Sequence, residues 1–238
     1  MHKFLTNTFN KDHNKVIKFS GSDTRELFNE NKKTQPAGWY YHTNDVTYTL
    51  NSDYYRTHEW DTIDWAESIV LFGDSFAAGV GLDDKDTISH QLELMTGRQV
   101  VNLGVGGSSS LFSLQNSLIL AEHYPVPHGV VYLWSGTDRL TYYSLNNIIH
   151  MGSWMSSPLY EEWNKCDENT NTHSNFIALA AKHMWLKKTK FYQATFFNET
   201  SKATNCTLLR KFDNARDCHT GRLTANMTAQ QIKSNLDL

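Results

Sequence analysis

Residues 68–75 read Ser-Ile-Val-Leu-Phe-Gly-Asp-Ser, a short apolar run that stops abruptly at Gly-Asp-Ser. A run without Gly or Pro that ends in this way predicts a buried strand. Ligands of open parallel sheets bind at the carboxyl ends of the strands, so this strand would deliver the hydroxyl of Ser75 to a binding site. Ser75 is therefore a candidate nucleophile. A strand-to-helix turn with a capping serine is the alternative interpretation.

Strands and helices alternate along the chain from residue 66 onward. Three further apolar runs predict strands at residues 99–103, 130–134 and 191–195. Apolar residues at helical spacing predict helices near residues 88–95, 111–121, 176–187 and 224–235. Strand-helix-strand repetition of this kind predicts an α/β fold, with a parallel sheet and helices on both of its faces.

The chain is predicted to divide into a small extension and a main domain. Residues 1–65 are polar and aromatic without a helix-length apolar face, and the alternation at residues 46–50 predicts a β-rich extension. Residues 66–238 form the main domain, with an irregular, aromatic-rich insertion at about residues 141–175. Because an insertion at this point would overhang the strand ends, it either lines a substrate site as a lid or is a packed surface excursion.

The composition argues against several classes of protein. Of 238 residues, 39% are apolar and 20% charged, and the net charge is −3 without a Lys/Arg-rich block, so no nucleic-acid partner is expected. There is no apolar run long enough to predict a membrane span, and the N-terminus lacks the apolar core of a signal peptide. Cys166, Cys206 and Cys218 are widely spaced, which predicts neither a zinc site nor a disulfide framework. We therefore expect a cytoplasmic or otherwise intracellular setting, and the sequence leaves the oligomeric state open.

Two other loops carry what a serine nucleophile needs, namely a neighbouring base and donors for a developing oxyanion. His219 is the one histidine of eleven that has a near-adjacent carboxylate, Asp217, in a Gly-containing loop before the last helix. The glycines at residues 104–107 let a backbone N–H approach a ligand, but Gly-x-Gly-Gly differs from the dinucleotide motif Gly-x-Gly-x-x-Gly. Ser75 also lacks the Gly-x-Ser-x-Gly elbow, which disfavours the α/β-hydrolase fold.

Four segments, taken in order, together resemble the SGNH (GDSL-type) hydrolases. Residues 73–81 (Gly-Asp-Ser-Phe-Ala-Ala-Gly-Val-Gly) are similar to the first block of that family, and residues 102–107 (Asn-Leu-Gly-Val-Gly-Gly) to the second. Residues 135–138 (Ser-Gly-Thr-Asp) and 217–219 (Asp-Cys-His) correspond to the third and fourth blocks in a more degenerate form. Residues 48–56 resemble a lead-in found in some bacterial and phage members, which is compatible with a virus- or phage-encoded protein.

The resemblance implies a three-layer α/β/α sandwich of the SGNH, flavodoxin-like type with a five-stranded parallel sheet. It also implies hydrolysis, or occasionally transfer, of acyl esters through a serine acyl-enzyme, with no metal or organic cofactor. Ser75 would then attack the ester carbonyl, His219 would act as the base, and Asp217 would orient the imidazole. The backbone N–H groups of Ser75 and Gly107 would hold the oxyanion, with Thr137 as a third donor.

Two positions depart from the family pattern. Thr137 stands where the family has Asn, and losing one oxyanion donor costs about 3–4 kcal/mol in the transition state. The nearby Arg139 is an alternative source of positive charge. The last block is one residue shorter than Asp-x-x-His, but side chains two residues apart in an extended segment share a face, so Asp217 can still reach His219. Asp213 is the alternative orienting acid.

The sequence therefore predicts a serine esterase that hydrolyses acyl esters, with acetyl as the expected acyl group, of a carbohydrate or another small molecule. A glycan suits the seven Trp and eleven Tyr residues, although aromatic side chains more often fill a core. The alternative is a catalytically weak or dead SGNH domain that binds a glycan or a protein. Thr137 and the shortened last block favour this alternative.

Overall fold

A computed structural model describes residues 3–11, 16–18, 25–145, 147–198, 208 and 216–238. The strands of this part are β1 (Val16–Lys18), β2 (Thr47–Thr49), β3 (Ile69–Gly73), β4 (Val100–Asn102), β5 (Gly129–Trp134), β6 (Leu140–Ser144), β7 (Asn147–Met151) and β8 (Lys190–Thr195). The helices are α1 (Arg25–Thr34), α2 (Ser75–Ala78), α3 (Ile88–Thr96), α4 (Ser110–His123), α5 (Pro158–Asn164), α6 (His173–Trp185) and α7 (Arg222–Asn235).

Four parallel strands form the central sheet, in the order β4-β3-β5-β8. β3 lies inside the sheet, with Ile69 opposite Val100 of β4 on one side and Gly129 of β5 on the other. β8 completes the described sheet by pairing in parallel with β5. The resemblance implied five strands, and residues 199–207 and 209–215, between β8 and α7, lie outside the described residues. Because all four strands point the same way, the loops after them meet at one edge.

Two layers of helices cover the sheet because successive side chains of each strand point to opposite faces. On one face, Val70 and Phe72 belong to a core cluster that also holds apolar residues of α4 and α6. On the other face, Ile69 and Leu71 pack with apolar residues of α3 and α7. β3 is buried on both faces and therefore has no polar position. The α/β fold with three layers, predicted above, is confirmed.

The predicted helices and strands of the main domain are present, with ends that differ by a few residues. The two ends of helix α3 could be predicted from the sequence because a capping residue begins it and a glycine ends it. Thr87 caps its first turn, since the side-chain Oγ1 accepts a hydrogen bond from the backbone N–H of His90 at 3.2 Å. Gly97 ends it with φ +68°, a left-handed conformation that glycine adopts without a steric penalty.

The first 65 residues contain more than the predicted β extension. The two strands β1 and β2 form a short antiparallel pair, but the ten-residue helix α1 was not predicted. Among its described side chains, Phe28 is the buried apolar anchor, and it packs on Trp39 in a small cluster with Tyr41 and Tyr48. The sequence of α1 has two apolar residues, Leu27 and Phe28, which are adjacent and form no stripe at helical spacing, so periodicity could not reveal the helix.

The insertion predicted as irregular at about residues 141–175 is more regular than expected. Strands β6 and β7 form an antiparallel hairpin in which Leu140 pairs with Met151. Helix α5 and a π-helical turn at Glu168–Thr172 follow before α6. Thr141 is the one buried residue of β6, and the other four are half-buried or exposed. Because a threonine holds the buried position, the strand lacks the alternation of apolar residues that predicts strands.

None of the helices in the described part of the chain has both the length and the apolar character needed to cross a bilayer. Cys166 and Cys218 form no disulfide bond within the described part of the chain, and Cys206 lies outside the described residues.

Candidate active site

A cavity of about 750 Å³ lies at the carboxyl edge of the sheet. The loops that follow all four strands reach it, through Ser75 after β3, Gly107 after β4, Arg139 after β5 and Phe197 after β8. His219, from the loop before α7, also lines the cavity. Thus residues far apart in the sequence meet at the edge where parallel sheets bind ligands.

Ser75 is the first residue of α2, and the turn before it leaves its hydroxyl free. The cap of this short helix is Asp74, whose buried carboxylate accepts a hydrogen bond from the backbone N–H of Phe76 at 3.0 Å. Burial raises the pKa of Asp74. The hydroxyl of Ser75 is half-buried and makes no hydrogen bond to the described part of the chain. The alternative interpretation of Ser75 as a capping residue is therefore wrong.

Two glycines let the backbone pack tightly around α2. A Cβ added at Gly73 would lie 2.6 Å from the carbonyl oxygen of Leu133, and one added at Gly104 would lie 2.5 Å from the backbone nitrogen of Ala78. Contacts this short exclude any side chain at either position. Gly104 therefore lets the loop after β4 lie against the helix that begins with Ser75, and Gly73 lets the end of β3 lie against β5 and Ala77.

The predicted contact between Asp217 and His219 is present. Oδ1 of Asp217 lies 2.8 Å from Nδ1 of His219 and also accepts the backbone N–H of His219 at 2.9 Å. Residues 216–219 form a bend, so the contact arises from an Asx-type turn and not from the extended segment that we assumed. The side chain of Asp217 is only 2% exposed, so this hydrogen bond is shielded from water.

The environment of His219 favours its charged form. Burial alone would lower the pKa of His219, but the hydrogen bond that its ring donates to Asp217 and the adjacent Cys218 outweigh burial, so that the pKa is raised above its ordinary value of 6.5. Because Nδ1 is engaged by Asp217, Nε2 is the ring nitrogen left to act on a ligand. Nε2 makes no hydrogen bond to the described part of the chain.

Some of the predicted site residues line the cavity, and others do not. Ser75 and His219 line the same cavity, although no hydrogen bond joins their side chains within the described part. The backbone N–H groups of Ser75 and Gly107 have no acceptor there either, which leaves both available to a ligand. Thr137 is buried and is not among the residues that line the cavity. Asp213 lies outside the described residues.

Several cavity residues were given no individual role by the sequence analysis, although the insertion at about residues 141–175 was expected either to line a substrate site or to pack on the surface. The hairpin and the segment after it contribute His150 and Trp154, and the N-terminal segment contributes Phe9, whose ring lies over Gly106. The guanidinium of Arg139 lies 4.2 Å from the ring centre of Trp154. The aromatic character of the insertion was the one available signal, and it does not distinguish cavity walls from core.

Asp217, Cys218 and His219 are the described residues that come nearest to a metal site, with ligand atoms all within 4.8 Å of one another. Within this group, Oδ1 of Asp217 and Nδ1 of His219 are hydrogen-bonded to each other.

Neither a protein-family model nor a curated protein matches the sequence. Several solved structures are similar to this chain, and esterases are among them. One is a carbohydrate esterase family 2 enzyme from Corynascus thermopiles (Myceliophthora fergusii), with 12% identity over 72% of this chain and 67% of that chain, at a TM-score of 0.44. Another carbohydrate esterase has 12% identity over 72% and 64% of the two chains, at a TM-score of 0.48. AlinE4, an esterase of the SGNH-hydrolase family, has 15% identity over 74% and 75%, at a TM-score of 0.37. At these TM-scores the similarity assigns no residue a role.

Proposed function

We propose that this chain is a serine esterase of the SGNH type. The observation that supports the proposal is that Ser75 and His219 line one cavity at the carboxyl edge of the sheet, while Asp217 is hydrogen-bonded to His219. A serine hydroxyl becomes a useful nucleophile when a base is near it and a third group orients that base. Ser75 and His219 line the cavity, and Asp217 is hydrogen-bonded to His219.

In the proposed reaction, Nε2 of His219 takes the proton of Ser75 as Oγ attacks the ester carbonyl. The N–H groups of Ser75 and Gly107 stabilise the oxyanion. Thr137, which the sequence predicted as a third donor, does not line the cavity. His219 then protonates the leaving alcohol, and water releases the acyl group by the same steps in reverse. Ser75 and His219 have to approach each other when substrate binds, as catalytic hydrogen bonds often form only in that complex.

The proposed substrate is an acyl ester, with acetyl as the expected acyl group, of a carbohydrate or another small molecule. The cavity offers aromatic surface for such an alcohol in Trp154 and Phe9, and it is much larger than an acetyl group requires. Nitrophenyl esters from acetate to octanoate test the acyl group, and acetylated sugars test the alcohol. Fastest turnover of the acetate is expected, and fastest turnover of the octanoate would contradict the acetyl assignment.

A fluorophosphonate probe tests the mechanism directly, because it reacts covalently with activated serines. The wild-type protein should be labelled, Ser75→Ala should lose the label, and His219→Ala should lose it as well. Ser153→Ala is the matched control, since Ser153 is exposed beside Trp154 and carries no proposed role. Labelling that survives Ser75→Ala would refute the proposal.

A catalytically weak or dead domain that binds a glycan or a protein is the second candidate. It is favoured by the position of Thr137 away from the cavity lining and by the missing hydrogen bond between Ser75 and His219. A protein that neither reacts with the probe nor hydrolyses any ester, but binds an acetylated glycan in calorimetry, would establish this second function.

A further inference from the structure

His150 is a second histidine at the proposed active site, and the proposed mechanism does not use it. It lies on β7 and lines the same cavity as Ser75 and His219. A Cβ added at Gly107 would be 3.9 Å from the Cβ of His150, so His150 adjoins the predicted oxyanion loop. Its Nε2 is buried and has no partner in the described part of the chain. A buried polar atom without a partner costs stability unless a ligand satisfies it.

A chain of hydrogen bonds determines which nitrogen of His150 carries the proton. Ser109 donates twice to Oγ1 of Thr141, from its backbone N–H at 3.3 Å and from its hydroxyl at 2.8 Å. Oγ1 of Thr141 in turn lies 2.9 Å from Nδ1 of His150. A hydroxyl that accepts two hydrogen bonds has its own hydrogen left to donate. Nδ1 is therefore the acceptor, and Nε2 of the neutral ring carries the hydrogen.

The surroundings keep this ring neutral and fixed. Burial lowers the pKa of His150 to about 4, opposite in direction to the shift at His219. The ring of Phe112 meets the imidazole edge-on, with centroids 5.0 Å apart and an angle of 89° between the planes. His150 thus differs from His219 in role, because a ring whose Nε2 already holds a hydrogen is a donor and not a base.

We infer that His150 donates a hydrogen bond from Nε2 to the oxyanion of the substrate, in the place of the donor that Thr137 fails to provide. The inference rests on the proposed function, since it names a further residue of the same site. Thr137 does not line the cavity, whereas His150 lines it next to Gly107. No covalent step is added, because His150 keeps its hydrogen throughout.

The kinetic test removes the N–H donor of His150 while keeping an aromatic ring at the position. His150→Phe should lower kcat about a hundredfold or more with little change in KM, the loss found when one oxyanion donor is removed. His150→Gln, which retains an N–H, should recover part of that loss. His128→Phe is the matched control because Nε2 of His128 is also buried without a partner, but His128 lies at the amino end of β5, away from the cavity. An unchanged kcat in His150→Phe would overturn the inference.

A second measurement does not depend on turnover. Nitrogen-15 NMR of the imidazole should show the neutral Nε2–H form of His150 from about pH 5 to about pH 8. Thr141→Val should weaken the preference for this form, and Thr141→Ser should keep it. When a phosphonate is attached to Ser75, the Nε2–H signal should shift, because the phosphonyl oxygen stands in for the oxyanion.

The outcomes separate the two proposals. If the probe does not label Ser75, the esterase proposal fails, whatever the NMR shows. If Ser75 is labelled and the Nε2–H signal of His150 stays in place, the esterase stands and the role of His150 is refuted. An Nδ1–H form of His150 in the wild-type protein would likewise refute it.

Discussion

Arg56 is buried beneath the loop that follows Ser75. Its guanidinium donates to the backbone carbonyl oxygen of Gly79 at 2.7 Å and to the carboxylate of Asp84 at 2.6 Å. The ring of Tyr48 lies below it at 3.8 Å, and the hydroxyl of Tyr48 accepts the N–H of Gly81 at 2.7 Å. The segment at residues 48–56, which resembled a family lead-in, therefore fixes the far end of the Ser75 turn.

Replacing this arginine should destabilise the fold. Arg56→Met keeps most of the volume but leaves buried carbonyl groups without donors, so we expect a loss of about 3 kcal/mol in the free energy of unfolding. Urea denaturation measures it. Arg98→Met is the control, because Arg98 pairs with the exposed Glu67 and should change stability little. Equal losses in the two variants would show that Arg56 is not a structural clamp.

The raised pKa of His219 predicts the pH dependence of the proposed esterase. The base has to be neutral to accept a proton, and a higher pKa keeps it charged to higher pH. The value of kcat/KM should therefore rise with pH along a limb whose midpoint lies above 6.5, the ordinary value for histidine. Asp217→Asn removes the main group that favours the charged ring, so the limb should move to lower pH while kcat falls. A wild-type midpoint below 6.5 would contradict the proposed environment.

Residues of the site differed in how far the sequence could reveal them. Ser75 was recognisable because an apolar strand ends at it, and Asp217 with His219 because the two are almost adjacent. His150 and Phe9 reach the cavity through contacts across the fold, from a hairpin and from the N-terminal segment. No local pattern records such contacts. The roles of Ser75, His219, Asp217, Gly107 and Thr137 stay predictions.

At the scale of elements, short buried strands and capped helices were predictable because each has a local cause. An unbroken apolar run determines β3, and Thr87 with Gly97 delimits α3. Helix α1 and the hairpin β6–β7 were not predicted, since α1 has few apolar residues and β6 lacks clear alternation. Both owe their position to packing against other parts of the chain.

The contact between α2 and the loop after β4 allows a direct test of element packing. Gly104→Ala would place a methyl group against the backbone of Ala78, so we expect a loss of about 3 kcal/mol in stability and slower labelling of Ser75. Gly38→Ala is the control, because no atom lies within 4 Å of the added methyl group. Denaturation and probe-labelling rates measure the two effects. Unchanged labelling of Gly104→Ala would show that this contact does not position Ser75.

At the scale of the whole molecule, the N-terminal segment is built into the main core. Phe4 is buried, stacks on Tyr124 with centroids 5.0 Å apart, and contacts Trp65 at 5.9 Å. The backbone N–H of Leu5 donates to the side chain of Asn116 on α4 at 2.8 Å. We therefore propose that the extension and the main domain unfold together.

Calorimetry tests this proposal. The wild-type protein should unfold in one transition, and Phe4→Ala should lower its midpoint, with a loss of about 3–5 kcal/mol for a buried aromatic side chain. Phe176→Ala is the control, since Phe176 is 66% exposed and should leave the midpoint nearly unchanged. Two separate transitions, with only one affected by Phe4→Ala, would show that the extension is an independent unit.

The distance along the chain between Ser75 and His219 has a consequence for synthesis. During translation, Ser75 emerges from the ribosome well before the loop at residues 217–219 has been synthesised. Until that loop emerges and folds back over the sheet, the nascent polypeptide of the proposed esterase holds a nucleophile with no base. We therefore expect the proposed ester cleavage to begin only when the loop at residues 217–219 has folded onto the sheet.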